Sequence, residues 1–236
     1  MDNLQDPLSF LNDRQKSAVL HTEGPVLIFA GAGSGKTRVI TSRVAYLIRE
    51  KGVKPWNIMA ITFTNKAAKE MRERVDRMVG MGSDAVWVAT FHSSCVRFLR
   101  RNPEAVGYER NFTIYDADDS RRLMKQVIDG MSAVPNNFKP RSVSGAVSRA
   151  KNDFMSPDDL EAEKGYDLYW RSVAEAYREY QKRLRANNAM DFDDLLLNSV
   201  KLLSENPEIL ENWQERFRYI MVDEYQDVNA VQFELV

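Results

Sequence analysis

The chain has 236 residues, 44% hydrophobic and 28% charged, with a formal net charge of −1. That is enough for one large domain or a domain with an insert, and it excludes a chain disordered by composition. The single cysteine, Cys95, excludes an internal disulfide and a cysteine-rich metal site and makes a reducing compartment the default.

In chain order, FLNDRQKSAVLH predicts a short helix with Asn12 as its cap. PVLIF, residues 25–29, is a short continuous apolar run of the kind found in buried parallel strands. KTRVITSRVAYLIREK places Val39, Ile40, Val44, Leu47 and Ile48 on one helical face. NIMAIT repeats the buried-strand pattern, and NKAAKEMRERVDRMVG predicts an amphipathic helix stopped by Gly80. AVWVAT is a third strand, followed by the helix HSSCVRFLRR, in which Cys95 reads as a small buried residue. Alternating strands and helices imply a mainly parallel sheet with helices on both faces.

Past residue 115 the texture turns helical for roughly 100 residues, with no buried strand. DADDSRRLMKQVIDGM, RSVSGAVSRAKNDF and YDLYWRSVAEAYREYQKRLRAN all read as helices, the last packing its aromatic residues. DFDDLLLNSVKLLSEN and PEILENWQERF follow, YIMVDE returns to a strand ending in acids, and VNAVQFELV opens a further helix. The expected organisation is α/β: core residues 1–115, an all-helical insert over 116–189, and a return segment over 190–236. No apolar run nears the ~20 residues of a membrane span and no signal peptide is recognised, so a cytoplasmic protein without a membrane partner is expected.

The segment FAGAGSGKTRV follows the apolar run directly and precedes a helix. A phosphate loop needs such a place: a tight turn whose N–H groups point inward, at a helix N-terminus with its partial positive charge. The match to G-x-x-x-x-G-K-[ST] departs at its first position, Ala30, but Gly31, Gly33 and Gly35 remain. Lys36 would reach the β- and γ-phosphates of ATP, and the Thr37 hydroxyl would ligate Mg²⁺. The partner carboxylates lie in YIMVDEYQD: Asp223 would hold Mg²⁺ through its water shell and Glu224 would activate the attacking water. An adjacent Asp-Glu pair favours attack by water, hence hydrolysis.

ITFTNKAAK places Thr62, Phe63, Thr64, Asn65 and Lys66 at a strand's carboxyl end and the next helix's start, where ligands of open α/β sheets bind. Phe63 would stack on a base of a single strand or fill the core; both readings stand. In ATFHS, Thr90 and His92 would touch the strand, or His92 would cap its helix. Between Arg121 and Lys151 seven basic residues face one acid, Asp129: a phosphate-backbone contact or a solvated helix face.

Together these motifs resemble the N-terminal part of a superfamily 1 DNA helicase of the UvrD/PcrA/Rep type. LNDRQKSAV is similar to its Q-motif, AGAGSGKTR to its Walker A, ITFTNKAAKEMR to motif Ia, ATFHS to motif Ib and DEYQD to motif II; MDFDDLL resembles the segment where the chain re-enters the core. The resemblance implies a P-loop RecA-like sheet interrupted by the helical insert. It also implies a nucleotide site of Ala30, Gly31, Ala32, Gly33, Ser34, Gly35, Lys36 and Thr37, with Gln15 reading the adenine edge and Arg38 near the base. Gln226 would link ATP state to DNA contacts. The partners implied are single-stranded DNA, a duplex junction met by the basic insert, and a second RecA-like domain that completes the ATP site; movement would be 3′-to-5′. The sequence is then expected to be an N-terminal fragment, monomeric by itself. Two alternatives stay open: a nucleic-acid-binding module switched by ATP without unwinding, and the helicase part of a helicase–nuclease.

Overall fold

The structure, a computed structural model, describes residues 6–31, 33–136 and 138–236. They divide into two compact units, one of residues 6–93 and 208–227, the other of 94–207 and 228–236.

The first unit is an α/β layer structure. Helix α1 (Asp13–Leu20) starts in a capping box in which Asn12 and Gln15 each bond the other's backbone N–H. Helix α2 (Lys36–Arg49) and helix α3 (Asn65–Val79) flank strand β1 (Ile58–Thr62), and strand β2 (Trp87–Thr90) leads into helix α4 (Phe91–Arg101). Strand β5 (Tyr219–Val222) completes a three-stranded parallel sheet in the order β2-β1-β5.

Alternation along the strands assigns each face. Ile58, Ala60, Val88 and Met221 pack under Val44 and Leu47 of α2 and Met71 and Val75 of α3. On the opposite face the Trp87 ring lies 5.9 Å from Trp213 of helix α10 (Pro207–Arg216), so helices cover both faces. The register pairs Thr62 with Thr90 and Ile61 with Val222, which brings the carboxyl ends of all three strands to one edge.

The expected strand over residues 25–29 is not formed. Residues 25–30 are irregular, and Phe29 is 90% exposed. A continuous apolar run is favoured as a strand when neighbours cover both of its faces. The run pairs with no described strand, and Val26, Leu27 and Ile28 are exposed with Phe29, so neither of its faces is covered.

The second unit is mostly helical. Helices α5 (Ala117–Asp129), α6 (Pro140–Asn152), α7 (Pro157–Lys164) and α8 (Leu168–Ala186) share one core. Met124, Val143, Val173, Ala174 and Leu184 are buried in it, as are the rings of Tyr177 and Tyr180. A two-residue parallel pairing of β3 (Thr113–Ile114) with β4 (Ala189–Met190) interrupts the helical run, against the expectation of no strand there. Helix α9 (Phe192–Glu205) follows, and α11 (Ala230–Phe233) belongs to the same unit. At the start of α9, Asp191 and Asp194 form a capping box, and both accept from the fully buried ammonium of Lys151, at 2.7 and 2.9 Å. Lys151 is therefore withdrawn from the basic stretch: it is internal and meets no external phosphate.

Candidate nucleotide and nucleic-acid site

The loop between residue 30 and α2 ends on Gly35, whose φ of +87° favours glycine and whose Cβ position lies 3.0 Å from the Gln15 amide nitrogen. Any side chain there would be strained and would meet Gln15. Gly35 caps α2 without a side-chain bond, so the first N–H groups of this 14-residue helix are left for another acceptor. Ser34 bonds back to the Gly31 carbonyl through its hydroxyl at 2.6 Å. Ala32, expected in the same loop, lies outside the described residues. Gln15 accepts from the Asn12 N–H at 3.0 Å and donates to the Ser34 carbonyl at 2.8 Å. Both ends of its amide are thus engaged within the chain, and contact with a base requires exchanging the Ser34 bond. Arg38 is exposed in the first turn of α2.

Residues far apart in sequence meet at the end of β5. The Thr37 hydroxyl donates to Asp223 Oδ2 at 3.2 Å across 186 residues. The Lys36 ammonium lies 3.4 Å from Glu224 Oε2 and 3.4 Å from the Ala30 carbonyl. Asp223 is 5% exposed, and burial raises its pKa against the lowering bond from Thr37. Glu224 has φ +53°, an uncommon conformation for a side-chain-bearing residue. Its carboxylate also accepts from Gln226 Nε2 at 2.7 Å. That bond, with Lys36 adding to it, holds the Glu224 pKa below the usual carboxylate value.

The donor set fits a hard divalent cation of the magnesium type. One hydroxyl and one part-buried carboxylate oxygen converge, and such a cation is commonly bound by one or two protein oxygens together with substrate phosphates. Among the described residues no group of three or more His, Cys, Asp or Glu forms an all-protein cage.

The DNA candidates gather at the same sheet edge. Thr62 and Thr90 close adjacent strands and are buried, at 2% and 6% exposure, so their side chains contribute little open surface. Phe63 is half-buried, its ring edge-on to Phe91 at 5.6 Å: it is neither core nor fully free. Thr64 caps α3 by accepting from the Ala67 N–H, and Asn65 and Lys66 are exposed on the first turn. Thr90 accepts from the Ser93 N–H, the capping bond considered above for His92, which is half-buried. Sequence reading missed the bond between Gln226 and Glu224 and the left-handed turn beneath it. An amide two residues from an acid carries no signal until the backbone turn is known.

Comparison with known proteins places this geometry in context. The profile of the UvrD/REP helicase N-terminal domain family matches residues 11–236. The chain is 50% identical over 229 residues to the ATP-dependent DNA helicase PcrA of Bacillus subtilis, covering 97% of this chain and 31% of that protein. It is 49% identical over 229 residues to PcrA of Staphylococcus aureus strain Mu50 and 50% identical over 226 residues to PcrA of Staphylococcus epidermidis. These matches cover 97% and 96% of this chain, and it spans 31% of the length of each of these relatives.

Proposed function

The chain belongs to the UvrD/REP helicase N-terminal domain family, and from that membership we propose that it is the ATP-binding part of a DNA helicase motor. The observation that carries the reading is the convergence of Lys36 and Thr37 with Asp223 and Glu224. The ATP polyphosphate sits on the N-terminus of α2, and Lys36 exchanges Glu224 for phosphate oxygens. Thr37 and Asp223 are the residues that would hold Mg²⁺, which when bound would neutralise charge on the polyphosphate. Glu224 accepts a proton from water as the water oxygen bonds to the γ-phosphorus; the bond from that phosphorus to the β–γ bridging oxygen breaks and its electron pair leaves with ADP. Gln15 and Arg38 flank the base.

The single strand runs over the carboxyl edge of the sheet, meeting Phe63, Thr64, Asn65, Lys66 and His92, with Thr62 and Thr90 setting the strand ends behind them. The relatives' names, ATP-dependent DNA helicase, support the assignment of DNA as substrate. In this reading residues 1–115 and 190–236 form a RecA-like core and residues 116–189 its helical insert; both segments of the first compact unit, 6–93 and 208–227, lie within that core. A second RecA-like domain completes the ATP site, and domain closure and reopening step the protein along the strand, 3′-to-5′ as the family resemblance implies. Six basic residues of the 121–151 stretch, Lys151 excepted, would meet duplex phosphates. The protein would act in the cytoplasm; no described helix is long and apolar enough to cross a membrane.

Glu224→Gln tests the chemistry. The variant keeps ATP and Mg²⁺ binding and loses hydrolysis, because an amide cannot take the water's proton. Wild-type turnover with DNA present would remove Glu224 as the base.

A further inference from the structure

Glu224 is asked to aim one oxygen at a water, yet its side chain is 41% exposed and its strongest charged neighbour is Lys36, 3.4 Å from Oε2. If Lys36 moves to a phosphate, as the proposed hydrolysis requires, that neighbour is lost when aim matters most. Gln226 Nε2 bonds the same Oε2 at 2.7 Å. The backbone supports this bond locally. Glu224 sits at φ +53°, its carbonyl accepts from the Asp227 N–H at 2.9 Å, and residues Tyr225–Asp227 form one turn of 3₁₀ helix. The turn sets the Gln226 side chain beside that of Glu224 whatever Lys36 does. Left-handed backbone at a residue other than glycine is strained and persists where surrounding structure holds it.

We propose that Gln226 is a positioning residue for Glu224: its amide keeps hold of Oε2 after Lys36 has left, so that Oε1 remains oriented toward the attacking water. The inference rests on the ATPase reading and assigns to Gln226 a task distinct from coupling ATP state to DNA. A carboxylate that swings away from its water loses near-attack geometry, and misplacement by about 1 Å costs on the order of 10²-fold in rate.

The test uses the full natural chain that contains these residues. Gln226→Ala and Gln226→Glu are measured for ATP turnover with and without oligo-dT, and for affinity toward a non-hydrolysable ATP analogue with Mg²⁺. Gln226→Glu removes the donor and sets a like charge against Glu224. Both variants should lose turnover by about 10- to 100-fold, by the same factor with and without oligo-dT, at unchanged analogue affinity. Wild-type turnover by both Gln226 variants, a defect confined to the oligo-dT-stimulated rate, or weakened analogue binding would overturn the proposal. Wild-type turnover by Glu224→Gln alone would instead remove Glu224 as the base, the assignment on which the proposal rests.

Discussion

Lys36 stands between two acceptors, the Glu224 carboxylate and the Ala30 carbonyl, each at 3.4 Å, and a polyphosphate offers it a stronger one. Lys36→Ala should weaken nucleotide binding and abolish turnover; analogue titration and steady-state hydrolysis check it, and near-normal turnover would remove the phosphate-loop assignment. Phe63 makes one edge-on aromatic contact, with Phe91, and is half-buried. Phe63→Ala should lower single-strand affinity by about 1–3 kcal/mol if the ring stacks on a base; the lost ring pair costs about 0.5–1.5 kcal/mol of stability beyond the apolar area that the half-buried ring covers. Unchanged oligonucleotide affinity with a large drop in Tm would return Phe63 to the core. The positions of Lys36, Thr37 and Asp223 were legible because glycines, a lysine, a hydroxyl and an acid have few other reasons to follow apolar runs at these places. The turn at Glu224 and the engagement of both ends of the Gln15 amide were not, because each depends on backbone geometry that residue types do not encode.

Helices with a full apolar face and recognisable caps were predictable in kind and nearly in extent, as α2, α3 and α5 illustrate. The pairing of β3 with β4 was not, since two residues carry no periodicity, and α7, with one buried residue, Leu160, shows no apolar face. The start of α9 is held from inside by a buried charge cluster. Burial works against the Lys151 charge, but Asp194 and Asp191 outweigh it and hold the ammonium above the ordinary lysine value. Lys151→Met would leave two carboxylates without their cation and should cost on the order of 3–5 kcal/mol, read by denaturant unfolding.

The cluster also sets a pH dependence. Burial opposes ionisation of Asp191, but Lys151 outweighs it and lowers the pKa, so its contribution is present above 3.8 and lost as pH falls through the lowered value. Burial pushes Asp194 up to about 6 against the pull of Lys151, which gives the opposite sign: its ionisation costs stability as pH rises from 3.8 through about 6. Asp194→Asn removes that cost, so the stability difference between variant and wild type should shift in the variant's favour between pH 4 and pH 7. A difference constant with pH would contradict the assignment.

At the scale of the molecule, the candidate site is built from a loop, a helix N-terminus and the end of β5. In the proposed reading these groups face one side of the nucleotide, and an arginine of the second RecA-like domain would meet the developing γ-phosphate charge from the other, a contribution on the order of 10³–10⁵ in rate. These 236 residues alone should therefore bind nucleotide weakly, show little or no DNA-stimulated hydrolysis and unwind nothing; a robust stimulated rate from the monomer would show that no second domain is needed. The intact set of Lys36, Thr37, Asp223 and Glu224 favours a working ATPase over a switch that binds without turnover. The most direct measurement is steady-state ATP hydrolysis by the full natural chain as single-stranded DNA is titrated in, for wild type and Glu224→Gln in parallel. The account predicts saturable stimulation in wild type and none in the variant; hydrolysis indifferent to DNA, or surviving in the variant, would contradict it.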